Sequence, residues 1–370
     1  MILFRSAEAD DAGLIAELGR SGRAATLLQP GLVGVEEEAG LEQLPALAWQ
    51  GLPRAESCSA PSINAWARLL LERLLPLAGS PWRLHLRPHY AVRATERMGA
   101  RAWHTARHEA GRPKAEVEVS AGAGEHRCTF IEKALRELLK QKGRQLLKSW
   151  VQSDKPFAPD EVLVQLWLCS PEQGWLSVAP APLPHNLRLS AFVGGEFPVA
   201  VDKQAPSRAF AKLVESLARL GRTPAPGESC VDLGASPGGW TYVALQHGAR
   251  VTAVDRSPLR EDLMRHPRLT FVKGDAFAYH PPATVDWLIC DVIAAPSRSA
   301  ALLLDWLRRG EARHFVVTLK LRGEEDPALL EDLRRALPAL AVDWNMTHLS
   351  ANKGEVCVYG RAKISRDGRG

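Results

Sequence analysis

The sequence predicts a mostly parallel α/β sheet in the C-terminal half of the chain, preceded by an α+β region. Three observations carry this prediction. Short apolar strands recur between helical stretches, several of these strands end in a charged residue, and a glycine turn follows the first of them. Alternating strands and helices are typical of a parallel sheet with helices on both faces. Ligands of such sheets bind beyond the carboxyl ends of the strands, so we expect the functional site there.

The first strand and its turn are the most informative segment, Cys230-Val-Asp-Leu-Gly-Ala-Ser-Pro-Gly-Gly-Trp-Thr-Tyr242. This segment predicts a buried strand over residues 230–233, a tight turn, and a helix that begins at Gly239. Glycines let a ligand approach the backbone closely, and a helix start offers unpaired N–H groups. Dinucleotide sites hold a pyrophosphate with the spacing G-x-G-x-x-G. Here the spacing is G-x-x-x-G-G, and the preceding Asp232 would repel a pyrophosphate but suits the amino group of S-adenosylmethionine.

Four further strands follow the glycine turn, over residues 250–255, 269–275, 285–291 and 314–320, with helices such as 299–309 and 327–336 between or after them. In nucleotide-binding α/β folds, an acid about 20 residues after the glycine turn hydrogen-bonds ribose hydroxyls. Asp255 has this position. Five charged residues fall at predicted strand ends, and we expect one cleft to collect them: Asp232, Asp255, Asp275, Asp291 and Lys320.

Five short motifs in this half of the chain occur in one order, at residues 205–213, 232–240, 290–292, 319–321 and 354–356. Together they resemble those of the FtsJ-type ribose 2′-O-methyltransferases. Within that family they are most similar to the RlmM-like group, which methylates a cytidine 2′-hydroxyl of bacterial 23S rRNA. The resemblance covers residues 203–363, and the front half is similar only in layout, with a THUMP-like RNA-binding module. It implies a Rossmann-like class I methyltransferase domain whose mostly parallel sheet contains one antiparallel strand.

The resemblance also implies the catalytic residues. In that family a Lys-Asp-Lys-Glu tetrad surrounds the reacting hydroxyl, and the motifs place it on Lys212, Asp291, Lys320 and Glu355. A ribose 2′-hydroxyl is a poor nucleophile, so the enzyme must orient it and accept its proton. A partly buried lysine beside another cation can reach a pKa at which it accepts a proton. Lys320 is the implied base, Asp291 positions it, Lys212 supplies the second positive charge, and Glu355 orients Lys212 or the ribose.

Two of these four residues have an ordinary interpretation without the family. Lys212 lies beside the apolar stripe of an amphipathic helix, where a lysine is normally solvated. Glu355 begins a run of strand-like alternation, Glu-Val-Cys-Val-Tyr359, and on its own reads as a residue of an edge strand. Lys320 and Asp291 differ from them because each ends an apolar strand, where a charge is costly to hold near the core.

The cofactor contacts are likewise implied by the resemblance. The loop of Ser236, Pro237, Gly238 and Gly239 would lie under the methionine part, with Ser207 close to it. Asp255 would bind the ribose hydroxyls and Asp275 the adenine amino group. A serine before an amphipathic helix is also commonly an N-cap, which is the other interpretation of Ser207. The full predicted set is Ser207, Asp232, Gly234, Ser236, Pro237, Gly238, Gly239, Trp240, Asp255, Asp275 and Asp291.

Two other methyl-transfer chemistries lack their usual residues. Enzymes that methylate exocyclic base amines usually carry an Asn/Asp-Pro-Pro-aromatic turn after the fourth strand, where this chain has Asp291-Val-Ile-Ala294. Enzymes that methylate pyrimidine C5 use a cysteine, typically in a Pro-Cys turn, whereas Cys290 lies inside the apolar strand. These differences favour methylation of oxygen.

Composition is that of a globular protein, with 46% hydrophobic and 24% charged residues among 370. No apolar stretch approaches the ~20 residues of a membrane helix, and no charged-then-apolar leader opens the chain. The six cysteines occur singly without a C-x-x-C pair, and the eleven histidines show no H-E-x-x-H spacing. We therefore expect a cytoplasmic protein with no metal site, no disulfide framework and no membrane partner.

Charge is distributed unevenly over the front half. Residues 1–75 carry 6 Lys and Arg against 10 Asp and Glu, whereas residues 76–150 carry 15 against 7. A local basic block favours a polyanion-binding surface. Residues 131–150 predict an amphipathic helix pair broken near Gly143, and its outward basic residues would contact RNA phosphates. These residues are Lys133, Arg136, Lys140, Lys142, Arg144 and Lys148.

Other front-half patterns complete the α+β prediction. Strands are predicted over residues 2–4, 82–88 and 161–168, and helices over residues 11–18 and 63–75. The proline-containing stretch 171–184 predicts a semi-extended connector. The predicted domains are a small ferredoxin-like domain (1–78), a THUMP-like domain (79–179), a linker (180–204) and the methyltransferase domain (205–370).

The sequence thus predicts an S-adenosylmethionine-dependent RNA ribose 2′-O-methyltransferase, acting on a cytidine of 23S rRNA or of a large-subunit precursor. Two alternatives stay open at this point. One is a non-catalytic RNA-binding or ribosome-assembly protein of the same fold, and the other is the same chemistry on another RNA such as tRNA. The oligomeric state is not determined, and we expect a monomer.

Overall fold

The structure, a computed structural model, describes residues 1–36, 41–90, 123–198, 201–321, 326–350 and 355–363. The chain forms two compact units, one of residues 1–44 and 48–196, the other of residues 45–47 and 197–370. The predicted division into three domains and a linker remains a prediction.

The first unit begins with a small antiparallel sheet. Its elements are β1 (Ile2–Arg5), α1 (Asp11–Arg20), β2 (Ala25–Gln29), β3 (Leu32–Val35) and β4 (Gln50–Leu52), and the strand order is β2-β3-β1-β4. The strand predicted at residues 2–4 and the helix predicted at 11–18 are confirmed. Every residue of β1 and β3 is buried, so these two strands form the centre of this layer.

A second sheet follows in the same unit. Its elements are β5 (Glu56–Ser59), α2 (Ile63–Leu74), β6 (Trp82–Pro88), α3 (Ala123–Lys142), α4 (Arg144–Ser149), β7 (Val162–Leu168), β8 (Gln173–Ala179) and α5 (Leu183–Asn186). The order is β5-β8-β7-β6, with only the β6–β7 pair parallel. Helix α3 buries Cys128, Ile131, Leu135 and Leu139, which lie on one helical face, against the core of this sheet. An α+β front region is therefore confirmed, and its THUMP-like character remains a prediction.

The connector predicted over residues 171–184 is wrong for most of its length. Residues 173–179 form β8, which pairs with β7 on one side and β5 on the other. Pro171 and Pro180 lie outside the strand, where a missing backbone N–H breaks no ladder bond. Leu176, within the strand, is buried in the core. The prolines near both ends of β8 led to the wrong prediction of a connector at an interior strand of the sheet.

The predicted basic helix pair is confirmed, since α3 ends at Lys142 and α4 begins at Arg144. Five of its six basic side chains are exposed, and Arg136 is half-buried. The Arg136 guanidinium lies 4.1 Å from the ring centroid of Trp150 and bonds Glu132. Residues 91–122, which contribute to the basic block, lie outside the described residues.

The second unit contains a seven-stranded sheet. Its elements are α6 (Phe210–Leu220), β9 (Ser229–Leu233), α7 (Gly239–Gln246), β10 (Arg250–Asp255), α8 (Glu261–Met264), β11 (Leu269–Lys273), β12 (Val285–Cys290), α9 (Pro296–Arg308), β13 (Ala312–Lys320), α10 (Asp326–Leu340), β14 (Ala341–His348) and β15 (Glu355–Ala362). The strand order is β11-β10-β9-β12-β13-β15-β14, and β15 alone runs antiparallel to its neighbours. The predicted mostly parallel sheet with one antiparallel strand is confirmed.

The apolar strands and helix faces predicted from the sequence form the core of this unit. Buried residues of β9, β12 and β13 meet those of α6 and α7, for example Cys230, Ile289, Val316, Leu213 and Val243. Because β9 and β12 lie in the middle of the sheet, their carboxyl ends are flanked by strands on both sides. The residues that follow these two strands are thereby held at the centre of the sheet edge.

Across the parts of the chain that the structure describes, no helix combines the length and apolarity needed to cross a bilayer. Within the same ranges, no group of three or more His, Cys, Asp or Glu side chains is arranged to hold a metal ion.

Candidate active site

The glycine turn predicted after the first strand connects β9 to α7. Gly238 has a φ of 110°, a backbone conformation that side chains other than glycine rarely adopt. A Cβ on Gly239 would lie 2.5 Å from Ser207 Oγ, so the segment before α6 packs directly on this turn. The predicted helix start at Gly239 is confirmed.

Ser207 is not the N-cap of α6. The helix begins at Phe210, its N-cap is Ala209, and no side chain caps it. Ser207 instead places its hydroxyl against Gly239, next to the predicted methionine loop. Its role as a cofactor contact stays a prediction.

Asp255 holds the shape of the same loop. Its Oδ2 accepts a hydrogen bond from the Ser236 N–H at 3.0 Å, and its Oδ1 accepts one from the Ser257 N–H at 2.8 Å. The Ser236 hydroxyl in turn donates to the Pro258 carbonyl at 3.0 Å. Each carboxylate oxygen can accept a second bond, so Asp255 retains capacity for the predicted ribose hydroxyls.

Asp232 is more deeply buried than a strand-end acid is expected to be. It is 1% exposed, and its Oδ2 accepts a hydrogen bond from the Thr241 hydroxyl at 2.6 Å. Burial raises the pKa of Asp232 from 3.8 to about 7. A carboxyl group in this state gains from a cationic partner, as the predicted amino group would be.

Asp275 follows β11, the strand at one edge of the sheet. Its Oδ1 accepts from the Phe277 N–H at 3.0 Å, and its Oδ2 accepts from Arg256 at 2.9 Å. These two bonds lower the pKa of Asp275. The Arg298 guanidinium lies 3.7 Å from the centroid of the Phe277 ring.

Two predicted cofactor contacts have packing roles in the structure. Trp240 is 3% exposed, and its indole N–H donates to the Ala209 carbonyl at 2.8 Å, which fixes the start of α6. The backbone at Gly234 packs on Val292, since a Cβ there would lie 3.0 Å from Val292 Cα. Pro237 accepts the Arg260 N–H at 3.0 Å through its carbonyl oxygen. Contact of these residues with a cofactor stays a prediction.

The four residues predicted as a tetrad lie together. Lys212 Nζ is 2.8 Å from each carboxylate oxygen of Asp291 and 2.6 Å from Glu355 Oε2. Lys320 Nζ is 3.1 Å from Asp291 Oδ1 and 3.6 Å from Glu355 Oε1. The four side chains are 12–15% exposed, so they lie at the edge of solvent.

Strand register explains why these residues meet. Lys320 and Glu355 are directly opposite in the antiparallel β13–β15 pair. Asp291 follows β12, the neighbour of β13 on the other side. Lys212 is on α6, whose apolar face carries Leu213 into the core, so its ammonium group covers the same strand ends.

The two lysines differ in how firmly they are held. Burial alone would lower the pKa of Lys212, but the carboxylates of Asp291 and Glu355 outweigh it and raise that pKa. Lys320 has longer distances to both carboxylates, and its further contact, to the Asp291 carbonyl, is 3.4 Å. The arrangement therefore combines one tightly paired cation with one that is more loosely held.

Three contact residues were not predicted from the sequence. Thr318 donates its hydroxyl to Asp291 Oδ1 at 2.7 Å, Thr241 bonds Asp232, and Arg256 bonds Asp275. Thr318 carried a usable signal, because it is two residues before Lys320 and therefore on the same face of the strand. The other two depend on how the turns fold and carried no such signal.

Comparison with known proteins bears on the same region. Residues 205–330 match the family profile described as FtsJ-like methyltransferase. This match confirms the predicted resemblance to the FtsJ-type methyltransferases, whereas the bounds predicted for the methyltransferase domain remain a prediction. It also confirms S-adenosylmethionine as the cofactor expected of that domain.

Relatives with a similar sequence share one description, ribosomal RNA large subunit methyltransferase M. The protein of that name from Halorhodospira halophila is 37% identical over 203 residues, which are 53% of this chain and 54% of that protein. The one from Thauera aminoaromatica is 33% identical over 204 residues, 52% of each chain. The chain thus spans about half the length of the curated relatives it matches.

Among solved structures, one similar chain is the 1,6-didemethyltoxoflavin-N1-methyltransferase of Burkholderia thailandensis. It is 19% identical, with a TM-score of 0.33 over 42% of this chain and 79% of that chain. A likeness of this size carries no argument about this protein.

Proposed function

We propose that this protein transfers a methyl group from S-adenosylmethionine to a ribose 2′-hydroxyl of RNA, with a cytidine of 23S rRNA or its large-subunit precursor as the target. The observation that carries the proposal is the contact of Lys212, Asp291, Lys320 and Glu355 at the carboxyl ends of the sheet strands. Four charged side chains at the edge of solvent are expensive to hold for stability alone. A site that must accept a proton and orient a hydroxyl has a use for them.

Lys320 is the proposed proton acceptor. Its distances to Asp291 and Glu355, 3.1 and 3.6 Å, are longer than those of Lys212, so its ammonium group is less strongly stabilised. Lys212 bonds both carboxylates and keeps its proton, as its raised pKa indicates. Its fixed positive charge beside Lys320 opposes a second charge in the same place.

The carboxylates orient the two lysines and, in the complex, the ribose. The chemistry that the bound cofactor supplies is an electrophilic methyl group on a positively charged sulfur. Lys320 Nζ, in its uncharged form, would take the proton of the 2′-hydroxyl. The cofactor would supply the methyl carbon, whose bond to sulfur would break as the bond to the hydroxyl oxygen forms, so that the sulfur leaves as a neutral thioether. Asp291, in contact with Lys320 and Lys212, keeps the site close to neutral before and after the proton moves.

The residues around the glycine turn suit this cofactor. Its cationic amino group, ribose hydroxyls and adenine amino group are all donors. Asp232, Asp255 and Asp275 lie at or just after the carboxyl ends of the adjacent strands β9, β10 and β11. A pyrophosphate would meet the same three groups as like charges. The buried Asp232 would receive the amino group, Asp255 the ribose and Asp275 the adenine.

Two observations support RNA as the substrate. The relatives that match about half of this chain's sequence are named as ribosomal RNA large subunit methyltransferases. The first unit carries the exposed basic side chains of α3 and α4, of which Lys142, Arg144 and Lys148 lie within seven residues. Such a cluster would contact phosphates and add affinity without sequence preference. We propose a cytoplasmic location and a monomer for the working protein.

The first test is transfer of labelled methyl from S-adenosylmethionine to total RNA of a strain that lacks this protein, followed by nucleoside analysis. We expect 2′-O-methylcytidine that maps to large-subunit rRNA. Label on another ribose or in tRNA would keep the chemistry and change the substrate. No label in any RNA or assembly intermediate, with cofactor binding intact, would leave a non-catalytic RNA-binding protein.

The roles of the two lysines are separated by one matched pair of substitutions. Arginine keeps the charge but does not release its proton in a protein. We expect Lys320→Arg to lower kcat by roughly 10²- to 10⁴-fold, the usual contribution of a proton-transfer group. Lys212→Arg should retain more of the activity, because Lys212 acts through its charge. Equal losses in both variants, measured with saturating RNA and cofactor, would refute the assignment of Lys320 as the base.

A further inference from the structure

Thr318 is a buried polar residue in an otherwise apolar stretch of β13. Its side chain is fully buried in β13, two residues before Lys320 and on the same face of the strand. A valine has nearly the same shape and no hydroxyl to satisfy in the core, so the fold alone would accept it. The hydroxyl has a specific partner, since it donates to Asp291 Oδ1 at 2.7 Å.

Three donors meet on that one oxygen. Thr318 Oγ1 lies 2.7 Å from Asp291 Oδ1, Lys212 Nζ lies 2.8 Å from it, and Lys320 Nζ lies 3.1 Å from it. A carboxylate oxygen offers about two lone-pair positions, so three donors exceed its capacity. Lys320 has the longest of the three distances and therefore the weakest bond.

We propose that the Thr318 hydroxyl is a positioning group of the active site, which occupies Oδ1 of Asp291 and so limits how tightly Asp291 holds Lys320. The proposal rests on the proposed function, because it concerns the proton that Lys320 accepts. Without the hydroxyl, the ammonium groups of Lys212 and Lys320 are the only two of these three donors left on Oδ1 of Asp291. Lys320 is then held in its charged form more firmly and accepts the ribose proton less readily.

Among the residues that the structure describes, three charged side chains face Lys320. Asp291 follows β12, Glu355 begins β15, and Lys212 comes from α6. The thiols of Cys290 and Cys357 are close by, but burial raises the pKa of each to about 12, so both stay neutral over the range of an assay. Asp232, whose pKa burial raises to about 7, interacts with Asp291 and titrates in the same range. It is present in the wild type and in the Thr318 variants alike, so a difference between their pH profiles is attributed to the tetrad.

The test is the pH dependence of kcat for Thr318→Val, measured with the RNA that the wild type methylates. We expect about a tenfold to hundredfold loss at pH 7, the effect of one hydrogen bond to a charged group. The rising limb of the profile should move to higher pH, so that the variant approaches the wild-type rate in alkaline buffer. Thr318→Ser should restore the wild-type profile, and cofactor affinity should be unchanged in both.

Thr347→Val is the matched control. Thr347 is a buried threonine of β14 in the same sheet, and its hydroxyl lies 3.4 Å from the His348 carbonyl rather than at the tetrad. It should leave the pH profile unchanged. Thr318→Ala gives the same comparison if the valine variant does not fold.

Two results would overturn the inference alone. One is a wild-type profile for Thr318→Val, and the other is an equal loss at every pH that serine does not rescue. A wild type that forms no 2′-O-methylnucleoside would overturn the proposed function instead, and the inference with it.

Discussion

Both units bury charged side chains, but with different partners. In the first unit Arg83 is 4% exposed and donates to the Ser153 and Lys155 carbonyls at 2.8 and 2.7 Å and to Glu161 at 2.6 Å. In the second unit the cations at the tetrad are lysines, and their partners are mainly carboxylates. Arginine stays charged and matches several acceptors at once, whereas lysine is a point charge whose proton can be given up.

Buried charge is present in both units and so does not by itself identify an active site. The type of cation distinguishes them, because lysine can give up its proton and arginine does not. Arg5 and Arg87 both bond Glu196 in the first unit, and these two cations outweigh burial and lower the pKa of that carboxyl. Every group there is held in one protonation state. At the tetrad Lys320 Nζ lies farther from the carboxylate oxygens than Lys212 Nζ does. A proton-accepting site requires such a difference, because one lysine must be able to give up its proton while the other keeps it.

The largest expected effect is a loss of methyl-transfer activity when a lysine of the tetrad is removed. Lys320→Ala should reduce methyl transfer by at least ~10²-fold, because it removes the proposed proton acceptor. Cofactor affinity, measured by calorimetry, should change by no more than about threefold. The free energy of unfolding should fall, because the variant removes one cation from a largely buried group of charges. Loss of cofactor binding would mean that Lys320 has another role.

The second effect is on stability in the first unit. Arg83→Met should lower the free energy of unfolding by about 3–5 kcal/mol, because it leaves the Glu161 carboxylate buried without its cation. Arg73→Met is the control, since the Arg73–Glu56 pair is 44% and 58% exposed and should contribute less than about 1 kcal/mol. Denaturant unfolding measures both. Similar losses in the two variants would contradict a larger contribution of the buried Arg83–Glu161 pair than of the exposed Arg73–Glu56 pair.

The third expected effect is the pH dependence of stability, and it concerns a buried carboxyl group whose described contacts include no cation. The pKa of Asp232 is raised from 3.8 to about 7, so the folded state binds a proton that the unfolded state has lost. Its contribution to stability is complete below about pH 4 and decreases as the pH rises to about 7, by up to about 1.4 kcal/mol per pH unit. Relative to the cofactor-free wild type, Asp232→Asn should therefore gain stability across this window. Parallel stability curves for the two proteins would contradict the raised pKa.

Much of the second unit was predictable because its strands are apolar, short and regularly interrupted. The predicted starts and ends of β10 and β12 agree with the structure to within one residue, since Arg250–Asp255 and Val285–Cys290 are bounded by charged or turn residues. Strand β8 was missed because prolines lie close to both of its ends. Its pairing with β5 and β7 is a long-range event that local composition does not reveal.

Part of the candidate site could also be predicted from the sequence, and part could not. The residue types of the tetrad and their order were readable from the motifs, and so were the strand ends that carry Asp291 and Lys320. The Thr318 bond to Asp291 was not predicted, although the spacing of Thr318 and Lys320 places both side chains on one face of β13. Nor was the burial of Asp232, which depends on how α7 packs Thr241 over the strand end.

The amino-acid sequence by itself thus determined the order of strands and helices, the glycine turn and the set of charged strand ends. These follow from local periodicity and from residue chemistry at fixed spacing. Only the tertiary structure decided which oxygen each lysine reaches, because those distances depend on strand register across β12, β13 and β15 and on the position of α6. A difference of 0.3 Å between two Lys–Asp contacts, 2.8 against 3.1 Å, distinguishes the tightly paired lysine from the loosely held one. Such a difference arises from packing between segments that are separated in the sequence, since Asp291 lies 79 residues after Lys212 and 29 residues before Lys320.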